Sequence, residues 1–355
     1  MWKFSKHFFP NFPVKLVEWQ EGKAHIFVPD PQEYGHPNHM PVFFNPRARV
    51  SRDVSTLVLS VLDVHEVLDA MAATGVRGIR YALEAGKQVV FNDIDERAVV
   101  LIRKNLQKNK IDAEVLQGDA NVLLHSRSFE CVDIDPFGSP APFLHAAARS
   151  IRHGGVLLVT ATDTAPLFGA SPNAAKRKYL AITRRVPWEK EMGVRILLAN
   201  VFHALGIYEK GMIPLISFVH EHHVRVIVKV LRRPSLVTRN AKNIGIVDGV
   251  GPIWLGPLHN ADVLSSALSR WSPDTYSRDA KRIIALASEE LPVVGYYDLH
   301  HIARSLKLRS VPPVEKVIHS LKERGFMATR TVFSPTAIKT NAELQELEDL
   351  LKSLL

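Results

Sequence analysis

Between residues 53 and 161 the chain alternates short apolar runs with amphipathic stretches at close spacing. The apolar periodicity predicts strands at 64–70, 88–92, 113–117, 130–135 and 156–161, with helices at 54–62, 76–85, 96–108, 120–124 and 142–153. Strands that alternate with helices in this way build parallel sheets that are covered by helices on both faces. We therefore expect an α/β fold, Rossmann-like, with a doubly wound sheet.

The stretch after this alternation changes character. A long helix is expected at 188–205, and two apolar strands at 213–219 and 224–231 are joined by a short polar segment that contains Glu221 and three histidines. Two strands this close pair as an antiparallel hairpin, so the sheet should end antiparallel. We interpret the histidines as a solvated turn rather than a metal site.

The pattern of alternating apolar strands and helices ends at Arg232-Arg233-Pro234-Ser235. This suggests two domains, 1–233 and 234–355. The second should be a smaller α+β unit, with helices at 260–271, 279–289, 298–306 and 314–324 and a β-rich segment at 326–333. Its last two helices and β segment are typical of a winged helix-turn-helix, which usually contacts nucleic acid; the alternative is a domain that only packs against the first. Residues 1–50, rich in proline, histidine and aromatics, are expected to form turns rather than regular structure.

Charge and cysteine content indicate which class of binding partner and which cellular compartment to expect. The 45 Lys+Arg against 36 Asp+Glu give a net charge of +9, which favours a polyanionic partner. Basic residues cluster at 176–178 with 184–185, at 225–242 and at 304–330, and each cluster is a candidate phosphate contact. The single cysteine, Cys131, excludes an intramolecular disulfide and fits a reducing cytoplasm. Residues 1–19 resemble neither a signal peptide nor an anchor, so no membrane is expected, and no protein partner is evident.

The ends of the first three predicted strands together describe a site for an adenosine. The first leads into a turn of small residues with Thr74 and Gly75, where the backbone can approach a ligand. The second ends at Asp93, whose carboxylate can accept hydrogen bonds from both ribose hydroxyls. The third is followed by Asp119, for an adenine amine, and Ala120, for a backbone contact. A dehydrogenase would use the same acidic residue, but its G-x-G-x-x-G fingerprint is missing.

The fourth predicted strand ends in Asp133-Ile134-Asp135-Pro136-Phe137-Gly138. Asp-Pro-x-Gly is a common turn signal, but a carboxylate at this sheet edge also suits methylation of a nucleobase amine. Such an amine is a poor nucleophile, so a catalyst must accept its hydrogen bonds and orient it. Asp135 can accept them and take the proton, the Pro136 carbonyl can add a second acceptor, and Phe137 can stack on the base. Phe43 is either the other face of a base sandwich or a core aromatic.

In these motifs the chain resembles the tRNA (guanine-26-N2)-dimethyltransferase family, class I S-adenosylmethionine-dependent methyltransferases. The matching segments are 41–47, 51–53, 73–80, 92–94, 133–140, 160–163, 177–179, 251–258 and 329–335. The resemblance implies S-adenosylmethionine held by Arg52, Arg77, Asp93, Asp119 and Ala120, with Asp135 as catalytic acceptor and Phe43 and Phe137 on the guanine. Many members carry paired Cys-x-x-Cys zinc ligands before the Gly-Pro-x-Trp stretch, whereas 238–250 contains no cysteine here, so zinc is not expected.

The resemblance implies tRNA as the substrate. Because the target base lies in stacked structure, Phe43, Asp135 and Phe137 lead us to predict that the guanine is flipped out of the stack. Two alternatives stay open. The first is an amine methyltransferase that acts on another nucleobase, in ribosomal RNA or DNA. The second is a non-catalytic RNA-binding protein that retains a methyltransferase fold.

Overall fold

The computed structural model describes residues 14–354. Our expectation for residues 1–13, that they form no signal peptide, lies outside these residues. The strands are β1 Leu16–Glu21, β2 Ala24–Pro29, β3 Glu66–Asp69, β4 Gln88–Asp93, β5 Val115–Gln117, β6 Phe129–Ile134, β7 Ile151–Ala161, β8 Gly211–His220, β9 His223–Leu231, β10 Ile244–Val247, β11 Val250–Trp254, β12 Tyr297–Asp298, β13 Ala328–Arg330 and β14 Ala337–Thr340.

The helices, with two 3-10 turns at Pro37–His39 and Pro46–Ala48, alternate with these strands. They are α1 Pro31–Tyr34, α2 Arg49–Ser60, α3 Val76–Ala85, α4 Glu96–Asn109, α5 Ala120–Ser126, α6 Ala141–Ser150, α7 Thr164–Leu167, α8 Pro172–Tyr179, α9 Glu189–Gly206, α10 Pro234–Lys242, α11 Ala261–Ser269, α12 Arg278–Glu289, α13 Leu299–Ser305, α14 Val314–Glu323 and α15 Leu344–Ser353.

A seven-stranded sheet in the order β5-β4-β3-β6-β7-β9-β8 organises the fold. Strands β3 to β7 are parallel, whereas β9 pairs antiparallel with β7 and with β8. The doubly wound sheet with a terminal antiparallel hairpin is therefore confirmed. The order reverses between β3 and β6, and ligands of such sheets bind beyond the carboxyl ends of the strands at this switch point.

Apolar cores lie on both faces of the sheet. One contains side chains of α5, α6 and α9, and the other contains side chains of α2, α3 and α4. Helix α9 is apolar on nearly all sides because it is buried between the sheet, α6 and β11.

Regular structure in the N-terminal segment contradicts the expectation of turns alone. β1 and β2 form an antiparallel hairpin around Gly22, which adopts a left-handed φ of 57°. Asn105 of α4 fastens this hairpin, because its side chain accepts from the Phe27 amide at 2.7 Å and donates to the Phe27 carbonyl at 3.0 Å. These strands have no regular alternation of buried and exposed residues, so they leave no period-two pattern in the sequence. The expected helix at 142–153 was also too long, since the backbone becomes β7 at Ile151.

The C-terminal residues contribute to two cores. Helices α11 and α12 pack on α2, next to the main sheet, although they follow the predicted domain boundary. A separate apolar core at 299–351 joins α13, α14 and α15 to the three-stranded sheet β12-β14-β13. The domain boundary at residue 233 and the winged-helix assignment stay predictions. Within residues 14–354, no helix has the length and apolar character needed to span a membrane.

Candidate active site

A cavity of about 640 Å³ lies at the carboxyl ends of β3, β4, β5 and β6, where the strand order reverses. This is the size of a small-molecule binding site. Of the residues predicted for the site, all but Gly75 line it: Phe43, Arg52, Thr74, Arg77, Asp93, Asp119, Ala120, Asp135, Pro136 and Phe137.

The turn between β3 and α3 forms the floor of the cavity. Gly75 lies behind the wall and shapes this turn, with a left-handed φ of 77° at the N-terminus of α3. Gly78 lets α3 approach the sheet closely, since a Cβ there would come within 2.4 Å of the Phe91 ring. The Gly78 amide donates to Asp69 at 3.0 Å, and burial together with the nearby Asp133 raises the pKa of Asp69 to about 7.

The ends of β4 and β5 supply acidic side chains. Asp93 accepts from the amides of Ala73, at 2.8 Å, and Asp95, at 3.0 Å, and burial raises its pKa. Each oxygen of a carboxylate can accept a second hydrogen bond, so Asp93 retains capacity for two hydroxyls. Asp119 caps α5 and is exposed at the cavity, next to the buried Ala120.

Ile94, which the sequence analysis missed, also lines the cavity with its side chain 71% exposed. It offers an apolar surface beside Asp93. Its position directly after the aspartate that ends β4 is the sequence feature that could have identified it as a cavity residue.

Several buried polar atoms in the cavity wall lack a hydrogen-bond partner, and they indicate whether the cavity fits S-adenosylmethionine. Thr74 Oγ1, Arg77 Nη1 and Asn92 Oδ1 are buried in residues of the cavity wall and have no hydrogen-bond partner. Buried polar groups are normally satisfied, so such atoms in a cavity wall fit a polar ligand. A cation donor, acidic acceptors and an apolar wall suit the carboxylate, ribose and adenine parts of this cofactor.

Asp135 is the central acidic group of the cavity. Its carboxylate, 25% exposed, receives a hydrogen bond from Arg77 Nη2, and Arg77 Nε also lies 3.8 Å from Asp133. Burial alone would raise the pKa of Asp135, but the positive charges of Arg77 and Arg225 outweigh it and lower the pKa to about 2. Asp135 is therefore an ionised hydrogen-bond acceptor at neutral pH.

Beneath it, Asp133 and Arg225 form a fully buried bidentate pair, with both N–O distances 2.7 Å. Tyr81 donates to the same carboxylate at 2.6 Å, and Arg225 also donates to Thr160 at 2.8 Å. The prediction that the basic cluster 225–242 contacts phosphate is thus wrong for Arg225. β9 lies between β7 and β8 and is buried on both faces around Arg225, so this side chain points into the protein.

Arg52 is held by a second buried ion network. Its guanidinium donates to both oxygens of Glu21 at 2.6 Å, and Arg80 binds the same carboxylate at 2.9 Å. Arg80 also pairs with Asp53 at 2.6 Å. Burial would raise the pKa of Glu21, but Arg52 and Arg80 lower it to about 2. Glu21 was missed because it lies in the segment expected to form turns.

Two aromatic rings stand at the mouth of the cavity. Phe43 and Phe137 meet edge-to-face with their centroids 4.6 Å apart, and Phe137 is 67% exposed. The two rings touch and leave no slot between them. A base sandwich therefore requires one ring to turn, and Phe137 is the more exposed.

His223, at the start of β9, also lines the cavity, contrary to our interpretation of the histidine segment as a solvated turn. Burial lowers its pKa, and the nearby Arg77 and Arg52 act in the same direction against the opposing effect of Asp135. Its ring is therefore neutral at neutral pH. Among the residues that the structure describes, no three His, Cys, Asp or Glu side chains group as a metal site.

The family described as N2,N2-dimethylguanosine tRNA methyltransferase matches residues 22–249 and 247–352. The chain belongs to this family. Within it, the tRNA (guanine(26)-N(2))-dimethyltransferase of Saccharolobus solfataricus is 34% identical, over 96% of this chain and 100% of the relative. The enzyme of the same name from Methanoregula boonei is 36% identical, over 96% of this chain and 99% of the relative.

A solved structure gives the same result. Trm1 from Pyrococcus horikoshii, in complex with S-adenosyl-L-methionine, is 34% identical and superposes with a TM-score of 0.86, covering 94% of this chain and 99% of that chain. The resemblance to the N2,N2-dimethylguanosine tRNA methyltransferase family and the fold class are thereby confirmed. The roles of individual site residues stay predictions.

Proposed function

We propose that this protein transfers one or two methyl groups from S-adenosylmethionine to the exocyclic N2 of guanine-26 in tRNA. The observation that carries the proposal is an ionised Asp135 beside two aromatic rings at the mouth of a ligand-sized cavity. The names of the relatives agree with it, and so does the cofactor in the Pyrococcus horikoshii complex.

S-adenosylmethionine would occupy the part of the cavity between α3, β4 and β5. Arg77 and Thr74 have buried polar atoms available for its amino-acid end, Asp93 for its ribose, and Asp119 and Ala120 for its adenine. When bound, the cofactor supplies a methyl group that is activated by a sulfonium.

The other residues bind and orient the amine. The Asp135 carboxylate accepts hydrogen bonds from the guanine N2, which directs the nitrogen lone pair towards the methyl group. The Pro136 carbonyl adds a second acceptor, and Phe137 turns away from Phe43 to admit the base between the two rings. The proton that N2 loses moves first to Asp135. A carboxyl with a pKa of about 2 does not retain it at neutral pH and, being partly exposed, passes it on to solvent water.

Exposed basic side chains on α8, on the segment that follows it and in the C-terminal region give phosphate contacts for tRNA. We also propose a cytoplasmic location, which the single cysteine supports.

The test is methyl transfer from labelled S-adenosylmethionine to unmodified tRNA transcripts with guanine or adenine at position 26, followed by nucleoside analysis. Wild type should form methylated guanosine only on the first transcript. Asp135→Asn keeps the side-chain shape but removes the charge, and should lower kcat by about 10² to 10⁴-fold. Asp112→Asn, at an exposed position outside the cavity, is the matched control.

Two results would contradict the proposal. Equal labelling of the adenine transcript would favour methylation of another nucleobase. Cofactor binding in calorimetry without transfer to any nucleic acid would favour a non-catalytic RNA-binding protein.

A further inference from the structure

An exposed apolar patch lies outside the cavity and is not explained by packing of this chain. It consists of Leu180 and Ile182, 69% and 62% exposed, and Ile246 of β10, which is 69% exposed. Buried Ala181 and Thr183 alternate with the first two, so the segment turns its large side chains outward and its small ones inward.

Ile182 and Ile246 share one face. Ile182 exchanges both backbone hydrogen bonds with Gly251, at 2.7 and 3.0 Å, and directly paired residues of antiparallel strands point the same way. A Cβ on Gly251 would lie 2.9 Å from Ile246 Cγ1. The Ile246 side chain therefore occupies the space over Gly251, on the face towards which Ile182 points.

Leu180 has an unfavourable backbone conformation. Its φ is 52°, in the left-handed region that favours glycine, at the end of α8. The chain on either side is held in place, since Asn200 donates to the Tyr179 carbonyl at 2.9 Å and Ala181 is buried. A leucine here is strained and exposed, so its side chain does not stabilise the fold.

Basic residues surround the patch. Lys176, Arg177 and Lys178 precede it on α8, and Arg184 and Arg185 follow it, all with exposed side chains. The acidic groups nearby are Asp163, which binds Lys178 at 3.0 Å, Glu189, which binds Arg185 at 2.9 Å, and the exposed Asp248. An apolar surface framed by cations fits a nucleic acid, which offers both base faces and phosphates.

A chain of contacts connects this patch to the mouth of the cavity. Tyr179, next to Leu180, donates to Asp163 at 2.5 Å. The preceding Thr162 is bound to Gly138 in both directions, at 2.7 and 2.9 Å, and Gly138 follows Phe137. Hydrogen bonds thus link the segment that carries the patch to the turn that carries the proposed base-binding ring.

We propose that the apolar patch is a wedge for the RNA helix around the target guanine, with Leu180 filling the stack that the extracted base vacates. Proteins that unstack nucleic acids insert leucine or isoleucine between bases in this way, and the insertion offsets part of the unstacking cost. Lys176, Arg177 and Arg184 hold the flanking phosphates, whereas Lys178 and Arg185 are ion-paired with Asp163 and Glu189. This inference rests on the proposed function and adds to it a device for extracting the base.

Leu180→Gly is the decisive variant, because glycine suits the left-handed backbone while the wedge is removed. Combined with Ile182→Ala, it should lower kcat/KM for tRNA by at least about tenfold, because two apolar contacts are lost and each is expected to cost about that much. It should also reduce the fluorescence increase of 2-aminopurine placed at position 26. The Kd for S-adenosylmethionine should not rise, and the melting temperature should not fall.

Leu344→Ala on α15 and Ile207→Ala after α9 change exposed apolar residues elsewhere and serve as controls. If wild type methylates tRNA and the patch variants match these controls in kcat/KM and fluorescence, the wedge is overturned and the proposed function stands. If wild type methylates no tRNA, the proposed function itself fails.

Discussion

Arg77 and Asp135 form an ion pair in the wall of the cavity, and this pair sets the charge of the group that we propose accepts the guanine amine. Two cations, Arg77 and the deeper Arg225, overcome the effect of burial on Asp135. The carboxylate is thus kept ionised in an environment that would otherwise favour its neutral form.

Arg77→Gln should make activity sensitive to acid. Without the nearest cation, burial raises the pKa of Asp135. A larger fraction of Asp135 is then protonated at mildly acidic pH and cannot accept a hydrogen bond from the amine. The ratio of the variant's kcat to that of wild type should fall as the pH is lowered from about 7 to 5. Arg77→Lys, which retains a charge, should give a ratio nearly independent of pH. A ratio for Arg77→Gln that is equally flat would show that Arg77 does not control Asp135.

Glu21→Gln should destabilise the protein by about 3 to 5 kcal/mol at pH 7, because Arg52 and Arg80 lose a shared buried partner. The folded pKa of Glu21 lies below its unfolded value of 4.5, at about 2. Its stabilising effect is therefore present above pH 4.5 and is lost as the pH falls towards 2. Urea unfolding at several pH values should show the difference from wild type shrinking below pH 4.5. The exposed Glu96→Gln is the control, and a difference that does not change with pH would contradict the assignment.

Arg225→Met separates a structural role from an RNA-binding one. Removing Arg225 leaves the buried Asp133 with only Tyr81 and the more distant Arg77, and should cost about 3 to 5 kcal/mol of unfolding free energy. Arg239→Met changes an exposed arginine of the same predicted basic cluster. It should leave stability unchanged and reduce the slope of log Kd for tRNA against log salt by about one. The reverse pattern would mean that Arg225 reaches RNA.

His223→Gln should relieve an acid limit on activity. Protonation of His223 adds a cation beside Arg77 and Arg52 and withdraws Asp135 as an acceptor for the amine. Because its pKa is lowered, this loss should begin only below pH 6.5. The ratio of the variant's kcat to that of wild type should therefore rise as the pH falls below 6. A ratio that stays constant would place His223 outside the reaction.

The sequence by itself determined the sheet, its antiparallel end and the strand ends that form the cavity. Apolar periodicity is a local property, and parallel strands bring residues such as Asp93, Asp119 and Asp135 to one edge whatever the details of packing. The family followed from the same motifs. The N-terminal hairpin was missed because its strands lack the alternation of buried and exposed residues that identifies a strand in the sequence.

Only the tertiary structure decided what each charge contacts. Arg225 and Arg184 are both arginines in basic stretches, yet one is buried against Asp133 and the other is exposed beside the apolar patch. His223 faces the cavity while His222, one residue earlier, is exposed. Burial and ion pairing join residues far apart in the chain, such as Glu21 with Arg80 or Asp133 with Arg225. The local sequence pattern does not predict such ion pairs, because their energies depend on distance and desolvation in the folded chain.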